Sequence, residues 1–339
     1  MHALVVGSGI GGVTFAEELL KKNPDASVTI LTKESDGYYS RPLLSHGFSR
    51  EDIETKIVMR SVDTLAQSAI EFVHGVEVTE LDPGAHSLNF VRQGEHETIG
   101  YDKLVLATGS DAFIPPPFQD QQALFSVFNS LTDLKALRRQ RQAMKQKGEN
   151  SRWAVIGGGL IGCEVASDLA VAGDKVCLFH AMSRLMERQL VDADSQLMSD
   201  VLAGSGINTY LNCAVQGFQR DEHGLTVVYE GGKQTDFSGI IVACGFKPRI
   251  SLAQQAGLKV NRGILVNEFL TTSDTDIYAI GDVAEWIDGK LYAYVTPIRN
   301  QAIWLAGTLS GTVSEPWKPP FFKPKAKVQG FNAEHSYLF

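Results

Sequence analysis

Near its start the chain reads Ala3-Leu4-Val5-Val6-Gly7-Ser8-Gly9-Ile10-Gly11-Gly12, and near its middle Trp153-Ala154-Val155-Ile156-Gly157-Gly158-Gly159-Leu160-Ile161-Gly162. Both stretches are short apolar strands that run straight into Gly-x-Gly-x-x-Gly and then into a helical pattern. In such a turn the first glycine (Gly7, Gly157) permits the tight bend and the second (Gly9, Gly159) lets the backbone approach a pyrophosphate. The third (Gly12, Gly162) lets the helix pack close to the strand, with its first N–H groups facing the anion. A single turn of this kind also occurs without a ligand, but two in one chain imply electron transfer between two dinucleotides. Strands alternate with helices along the rest of the sequence, and this strand–turn–helix unit is its only repeat, which sets the fold class as α/β.

Length and charge agree with that reading. The 339 residues suggest two or three domains with ample apolar content, and the formal charge of -8 comes without a long acidic or basic tail. That argues for a soluble, cytoplasmic enzyme and against nucleic acid as a general partner. The apolar runs are strand-sized, well short of the roughly 18 residues a spanning helix needs, so no membrane association is expected. No signal-peptide pattern precedes the first strand. The four cysteines, Cys163, Cys177, Cys213 and Cys244, are too far apart for a CxxC redox pair or a zinc knuckle, and the eight histidines lack metal-binding spacing, so no metal is expected. Each cysteine lies on or beside a predicted strand or helix and reads as a small apolar core residue. The Gly-x-Ser-x-Gly elbow of serine hydrolases is also absent.

The details of the two units are less regular. After a first helix at about Val13 to Lys21, Ser27-Val28-Thr29-Ile30-Leu31 reads as the second strand, where an acidic residue usually ends the strand and binds ribose hydroxyls. Thr32 stands there; Glu34, two residues on, is either a substitute or an exposed loop glutamate. In the loop Tyr38-Tyr39-Ser40-Arg41-Pro42-Leu43-Leu44-Ser45, Arg41 is a candidate partner for a phosphate or a carboxylate, or a solvated charge. Phe72, His74, Val76 and Val78 alternate as on one short strand, and a polar hairpin leads to Leu104-Val105-Leu106-Ala107-Thr108-Gly109-Ser110. In the second unit Lys175-Val176-Cys177-Leu178-Phe179 ends on His180 where Asp or Glu would bind a free 2′-hydroxyl, and Arg184 nearby is a candidate for a 2′-phosphate.

Taken together, the two turns, Ala107-Thr108-Gly109 and Thr275-Asp276-Ile277-Tyr278-Ala279-Ile280-Gly281-Asp282-Val283-Ala284 resemble the pyridine nucleotide-disulfide oxidoreductase superfamily over nearly the whole chain. Within it the chain is most similar to the rubredoxin and flavorubredoxin reductases, which lack the redox cysteine pair. That resemblance rests on Tyr39 to Ser45, Gly159-Leu160-Ile161-Gly162-Cys163-Glu164 and Pro297-Ile298-Arg299-Asn300-Gln301-Ala302. It implies two nested Rossmann-like domains with FAD on the first turn and NADH on the second, NADPH being left open. The FAD domain would take residues 1–112 and 245–316, the NAD(P)H domain 113–244, and 317–339 would form a C-terminal tail shorter than the family's usual C-terminal domain. Ile114-Pro115-Pro116-Pro117 and Ala243-Cys244-Gly245-Phe246-Lys247-Pro248 mark the crossings.

The same resemblance assigns roles. Asp282 would accept hydrogen bonds from ribityl hydroxyls, an ordinary helix N-cap being the alternative. Pro297 would open a helix aimed at the flavin's pyrimidine end. Arg41, Pro42, Ala107, Thr108, Gly109, Gly245 and Gly281 would line the cofactors. Glu164, just past the last glycine of the second turn, would lie near the nicotinamide and pair with Arg41, where relatives often carry lysine; a carboxylate favoured by the helix dipole is the plainer reading. Arg41 and Glu164 would act by position, since hydride transfer needs alignment more than proton transfer. The basic run Lys135, Arg138, Arg139, Arg141, Lys145 and Lys147 is either a solvated helix face or a patch that steers a small acidic redoxin. The function implied is electron transfer from NADH through FAD to rubredoxin or a similar one-electron carrier. Alternatives are an NAD(P)H oxidase, a ferredoxin- or nitrite-reductase-type reductase, and a flavin-binding redox sensor.

Overall fold

A computed structural model describes residues 1–146, 151–222 and 224–338. The chain divides into two compact units, the first made of Met1–Ser40, Val58–Asp111 and Lys247–Phe322, the second of Arg41–Ile57, Ala112–Phe246 and the segment from Lys323 on.

The first unit is built on a five-stranded parallel sheet in the spatial order Ile277–Ala279, Lys103–Leu106, His2–Val6, Ser27–Thr32, Ile70–His74. Its strands are near-continuous apolar runs because both faces are covered: Leu4, Val5, Ile30, Leu31, Leu104, Val105, Leu106 and Ile277 are fully buried. The helix Ile10–Lys22 turns Val13, Phe15, Ala16 and Leu19 inward, and Lys21 and Lys22 favour its carboxyl end. A second long helix, Val295–Leu309, packs beside it. The alternation at Phe72, His74, Val76 and Val78 is divided between two strands, Ile70–His74 in the parallel sheet and Val76–Asp82 in an antiparallel meander. Gly75, with φ +67°, makes the break; the side-chain period continued across it and concealed the turn.

The second unit repeats the plan. Its parallel sheet runs Ser126–Val127, Gly239–Val242, Arg152–Ile156, Lys175–Phe179, Asn208–Tyr210, again with the first apolar strand between its successor and a strand that returns after an antiparallel meander. Buried Phe118, Phe179, Phe218 and Phe237 fill the space between sheet and meander. The helix Leu160–Val171 is buried along residues 162–169, which explains its lack of a polar face. Among the described residues no helix is long and apolar enough to cross a membrane.

Two segments fall elsewhere than the nested pattern suggests. Arg41–Ile57 belongs to the second unit because Arg138 on the helix Leu131–Gln146 donates to the carbonyls of Gly47, Arg50 and Glu51 and pairs with Glu54 at 2.7 Å, while Asp168 accepts from the Phe48 and Ser49 backbone. The C-terminal segment does not start at Trp317. That indole is buried in the first unit, donates to Asn300 Oδ1 at 2.8 Å and packs edgewise on Trp286 and Tyr292, and only from Lys323 does the chain join the second unit.

Candidate dinucleotide cradles

Each unit holds its glycine turn at the carboxyl edge of its parallel sheet, where the strand order reverses and ligands bind in open α/β sheets. In the first unit Gly7 has φ +115°, and a Cβ there would stand 2.2 Å from the Ala107 carbonyl oxygen. A Cβ on Gly12 would stand 2.0 Å from the Gly7 oxygen, so the helix approaches the turn only because both residues are glycine. Gly9 is different: its φ is -71° and nothing lies within 4 Å of the place its Cβ would take. The space above it is open on the side that the first N–H groups of the helix face. That helix has no side-chain cap and no acid in its first turn, so its positive end is unopposed. The cradle fits a pyrophosphate.

The second unit reproduces these constraints. Gly157 has φ +113° and a Cβ would lie 2.3 Å from the Ala243 oxygen; on Gly162 it would lie 1.8 Å from the Gly157 oxygen; on Gly159 it meets nothing. The helix at Leu160–Val171 is likewise uncapped. Even the backbone bonds correspond: Gly7 N donates to Leu31 O and Ala107 N to Val6 O, as Gly157 N does to Phe179 O and Ala243 N to Ile156 O. Ala243-Cys244-Gly245 is therefore the counterpart of Ala107-Thr108-Gly109. Gly109 and Gly245 both take positive φ, +69° and +110°.

Three further features of the first unit converge on its cradle. Asp282 lies within a short 3-10 turn, Gly281–Val283, and accepts from Ser110 Oγ at 2.8 Å; it caps no helix. Gly281 takes φ +80°, and its N–H is held by the buried Gln301 Oε1 at 2.8 Å. Pro297 sits in the first turn of Val295–Leu309, whose amino end also lacks a side-chain cap and an acid. Ile298 from that turn packs 3.3 Å from where a Gly11 Cβ would be and 3.5 Å from that of Gly281, so the glycine turn, Asp282 and the helix end meet. Thr108 and Gly109 are tied to Arg249: Arg249 Nη1 donates to the Thr108 oxygen at 2.9 Å and its backbone N–H to Gly109. Arg249 escaped the sequence reading although it adjoins the quoted stretch ending at Pro248, and Gln301, quoted within its motif, was given no role there.

Neither strand end carries the usual acid. Thr32 Oγ1 bonds Ser8 Oγ at 2.9 Å inside the first turn and accepts the Glu34 N–H at 3.2 Å. His180 accepts the Gly158 N–H on Nδ1 at 3.0 Å and contacts Glu187 through Nε2 at 3.1 Å. Arg184 donates to the Leu190 and Glu187 carbonyls at 2.5 and 2.9 Å and pairs with Asp192 at 3.0 Å.

Glu164 is 1% exposed and does not take Arg41 as its partner. Its oxygens accept from Ser45 Oγ at 2.7 Å and from the Lys327 backbone N–H and ammonium at 2.8 and 2.7 Å. A lysine does meet this carboxylate, but from the C-terminal segment. Arg41 opens a 3-10 helix, Arg41–His46, that also contains Pro42, and it donates to the Asn129 carbonyl at 2.6 Å. Arg138 and Arg141 are likewise internal struts, the latter on Asp174 and the Ala172 carbonyl, whereas Arg139 and Lys145 are exposed; Lys147 lies outside the described residues.

The four cysteines are free. Burial pushes the thiols of Cys163 and Cys213 upward and that of Cys244 to about 11, so these three stay protonated and unreactive at neutral pH.

Comparison with known proteins gives the same picture. The family model for pyridine nucleotide-disulphide oxidoreductases matches residues 1–301. The chain is 35% identical over 318 residues to a rubredoxin-NAD(+) reductase of Alcanivorax borkumensis, covering 93% of this chain and 80% of that protein. It is also 35% identical over 312 residues to a nitric oxide reductase FlRd-NAD(+) reductase of Aliivibrio fischeri, covering 91% and 78%. Among solved structures, putidaredoxin reductase in its covalent complex with putidaredoxin superposes with a TM-score of 0.86 at 26% identity, over 96% of this chain and 79% of that one. With its two matched cradles and a family match running from the first residue to Gln301, the chain belongs to the pyridine nucleotide-disulphide oxidoreductase family.

Proposed function

We propose that this chain is an FAD-dependent oxidoreductase that passes electrons from NADH to a rubredoxin or rubredoxin-like carrier. The observation that carries the reading is the cradle built twice, with the same close approaches at Gly7 and Gly12 as at Gly157 and Gly162. Relatives named as rubredoxin-NAD(+) and FlRd-NAD(+) reductases, and a likeness to a reductase captured with its redoxin, support the choice of acceptor.

The first unit is the flavin unit. Gly7, Gly9 and Gly12 with the uncapped helix end hold the pyrophosphate, Thr32 and Glu34 lie at the ribose end, and Asp282 accepts from the ribityl chain beside Ser110. Ala107, Thr108, Gly109 and Gly281 shape the floor, and the amino end of Val295–Leu309 at Pro297 offers partial positive charge to the ring. FAD, when bound, supplies the chemistry of accepting two electrons together and releasing them singly. In the second unit Gly157, Gly159, Gly162 and Gly245 form the corresponding cradle for the nicotinamide dinucleotide. Glu164 and Arg41 act there by holding position: every partner of the Glu164 carboxylate is a donor, which fits a fixed acceptor and not a proton carrier. With four free cysteines and no CxxC pair, no dithiol relay is assigned, and electrons leave directly for the partner.

Anaerobic NADH-dependent bleaching of oxidised rubredoxin by catalytic amounts of the FAD-loaded protein tests this. Rapid bleaching is the expected result. A protein that NADH reduces but that leaves rubredoxin oxidised would refute the acceptor, and one that cannot be loaded with FAD would refute the whole reading.

A further inference from the structure

We propose that Glu187 supplies the ribose-binding carboxylate missing from the strand end, and so selects NADH over NADPH. The inference rests on the reading of the second turn as the nicotinamide-dinucleotide cradle. In such units an acid at the end of the second strand binds the adenosine 2′-hydroxyl, and an arginine nearby accommodates a 2′-phosphate. At the first of these positions stands His180, and Arg184 is the arginine in reach by sequence.

The geometry takes both out of direct contact. His180 is 8% exposed and both ring nitrogens are used. Because Nδ1 accepts the Gly158 N–H, the ring proton is on Nε2, which donates to Glu187 Oε2 at 3.1 Å. The imidazole therefore adds no charge of its own; it fixes a carboxylate that comes from seven residues further along. Arg184 spends its guanidinium on the Leu190 and Glu187 carbonyls and on Asp192, and in doing so ties the loop that carries Glu187.

That loop is clamped to the glycine turn from both sides. Gly158 donates its N–H to His180 and accepts the Met186 N–H on its oxygen at 2.8 Å. A Cβ on Gly158 would fall 2.5 Å from Leu185 Cδ2 and 2.7 Å from His180 Cγ, so glycine is what lets the loop come this close. Met186, fully buried, adopts φ +48°, a left-handed conformation that non-glycine residues rarely take, and its carbonyl accepts from Gln189 and Leu190. The next residue is Glu187. Its side chain is 27% exposed, and its Oε1 meets only the Nε of Arg188 at 3.7 Å, Arg188 itself being 85% exposed. A carboxylate with lone pairs to spare is thus held beside the phosphate turn. It suits two ribose hydroxyl donors and repels the dianionic phosphate of NADPH.

The test is calorimetric binding of NAD+ and NADP+, neither of which is turned over, to the FAD-loaded protein and to Glu187→Gln and Glu187→Asp. The parent is expected to bind NAD+ at least tenfold more tightly than NADP+. Glu187→Gln should weaken NAD+ about tenfold and narrow that preference, and Glu187→Asp, too short to span from His180, should do the same. Melting temperature and flavin content serve as controls, unchanged in both variants. If Glu187→Gln leaves both affinities within twofold, or if the parent favours NADP+ through Arg188, the assignment of Glu187 is wrong. If neither nucleotide binds the flavin-loaded parent, the nicotinamide reading of the second turn fails, and this inference with it.

Discussion

Alanine at Gly9 and alanine at Gly7 are expected to fail in opposite ways. The methyl group of Gly9→Ala meets no protein atom within 4 Å and the backbone there is extended, so the apoprotein should lose no more than about 1 kcal/mol, the scale of an N-cap change. The same methyl occupies the open side over the helix end. Pushing a pyrophosphate outward costs one charge-assisted N–H bond, about 1.5–3 kcal/mol. Since about 1.4 kcal/mol is a factor of ten, FAD should bind roughly ten- to a hundredfold more weakly. Gly7→Ala instead places its methyl 2.2 Å from the Ala107 oxygen, more than an ångström inside ordinary contact, at φ +115°. The dihedral alone costs about 1–3 kcal/mol, and the forced shift of the strand end adds about as much again. That is a large share of a typical stability of about 5–15 kcal/mol.

The assay separates the two. Circular dichroism melting of flavin-free protein reads the fold, and quenching of FAD fluorescence reads the cradle. Gly9→Ala should melt with the parent and bind FAD poorly; Gly7→Ala should melt early or express insolubly. A Gly9→Ala protein that titrates FAD like the parent would refute the placement of the pyrophosphate over this turn.

Two other perturbations test the electrostatics. Lys103 donates to Asp276 in the first unit, with His86 3.6 Å from the same carboxylate, and Lys103→Met should cost about 1 kcal/mol at pH 7. The hydrogen bond from Lys103 holds the Asp276 carboxyl below its usual range, so this stability is present above the unfolded value near ~3.9 and is lost as pH falls through the lower folded value. The bond to Asp276 likewise raises Lys103, so its share is complete below the unfolded lysine value and is lost as pH rises through the folded one. Urea midpoints of parent and variant should therefore differ by a constant amount from about pH 5 to 9 and converge towards acid; a difference that grows on acidification would contradict the pair. On the helix Leu131–Gln146, Arg138→Gln should speed amide exchange over residues 47–54, where it holds the Gly47, Arg50 and Glu51 carbonyls and the Glu54 carboxylate, whereas Arg139→Gln with Lys145→Gln should leave exchange alone and raise the KM for a redoxin two- to threefold at low salt. Equal effects in rich salt would remove docking from that face.

The parts of the protein legible in its sequence are those whose physics is local. A glycine turn needs its three glycines within six residues, and the apolar strands before Gly7 and Gly157 announce themselves by composition. Apart from the turn at Gly75, the misreadings involve partners far along the chain. Helical spacing grouped Arg138 and Arg141 with Arg139, but the carbonyls that engage Arg138 lie some ninety residues earlier, at Gly47, Arg50 and Glu51. The cation expected beside Glu164 was sought at Arg41, in the motif of the family, and is supplied by Lys327, 163 positions away. A charge pattern gives the number of cations and not the acceptors that consume them.

The two strand ends show the same limit at closer range. Both lack the acid, and in both the residue in its place, Thr32 or His180, bonds the second residue of its own glycine turn, Ser8 or Gly158. From sequence the two substitutions look alike. They part because the residues that follow differ: Thr32 Oγ1 accepts the Glu34 backbone N–H, whereas His180 has a second nitrogen that reaches the Glu187 side chain. A hydroxyl shared between Ser8 and the Glu34 backbone adds no charge at the first cradle. The imidazole between the Gly158 N–H and Glu187 instead holds a carboxylate beside the second turn. Two cradles with one backbone plan thus differ in what their strand ends hold: a hydroxyl and a backbone N–H at the first, an imidazole and the carboxylate it reaches at the second.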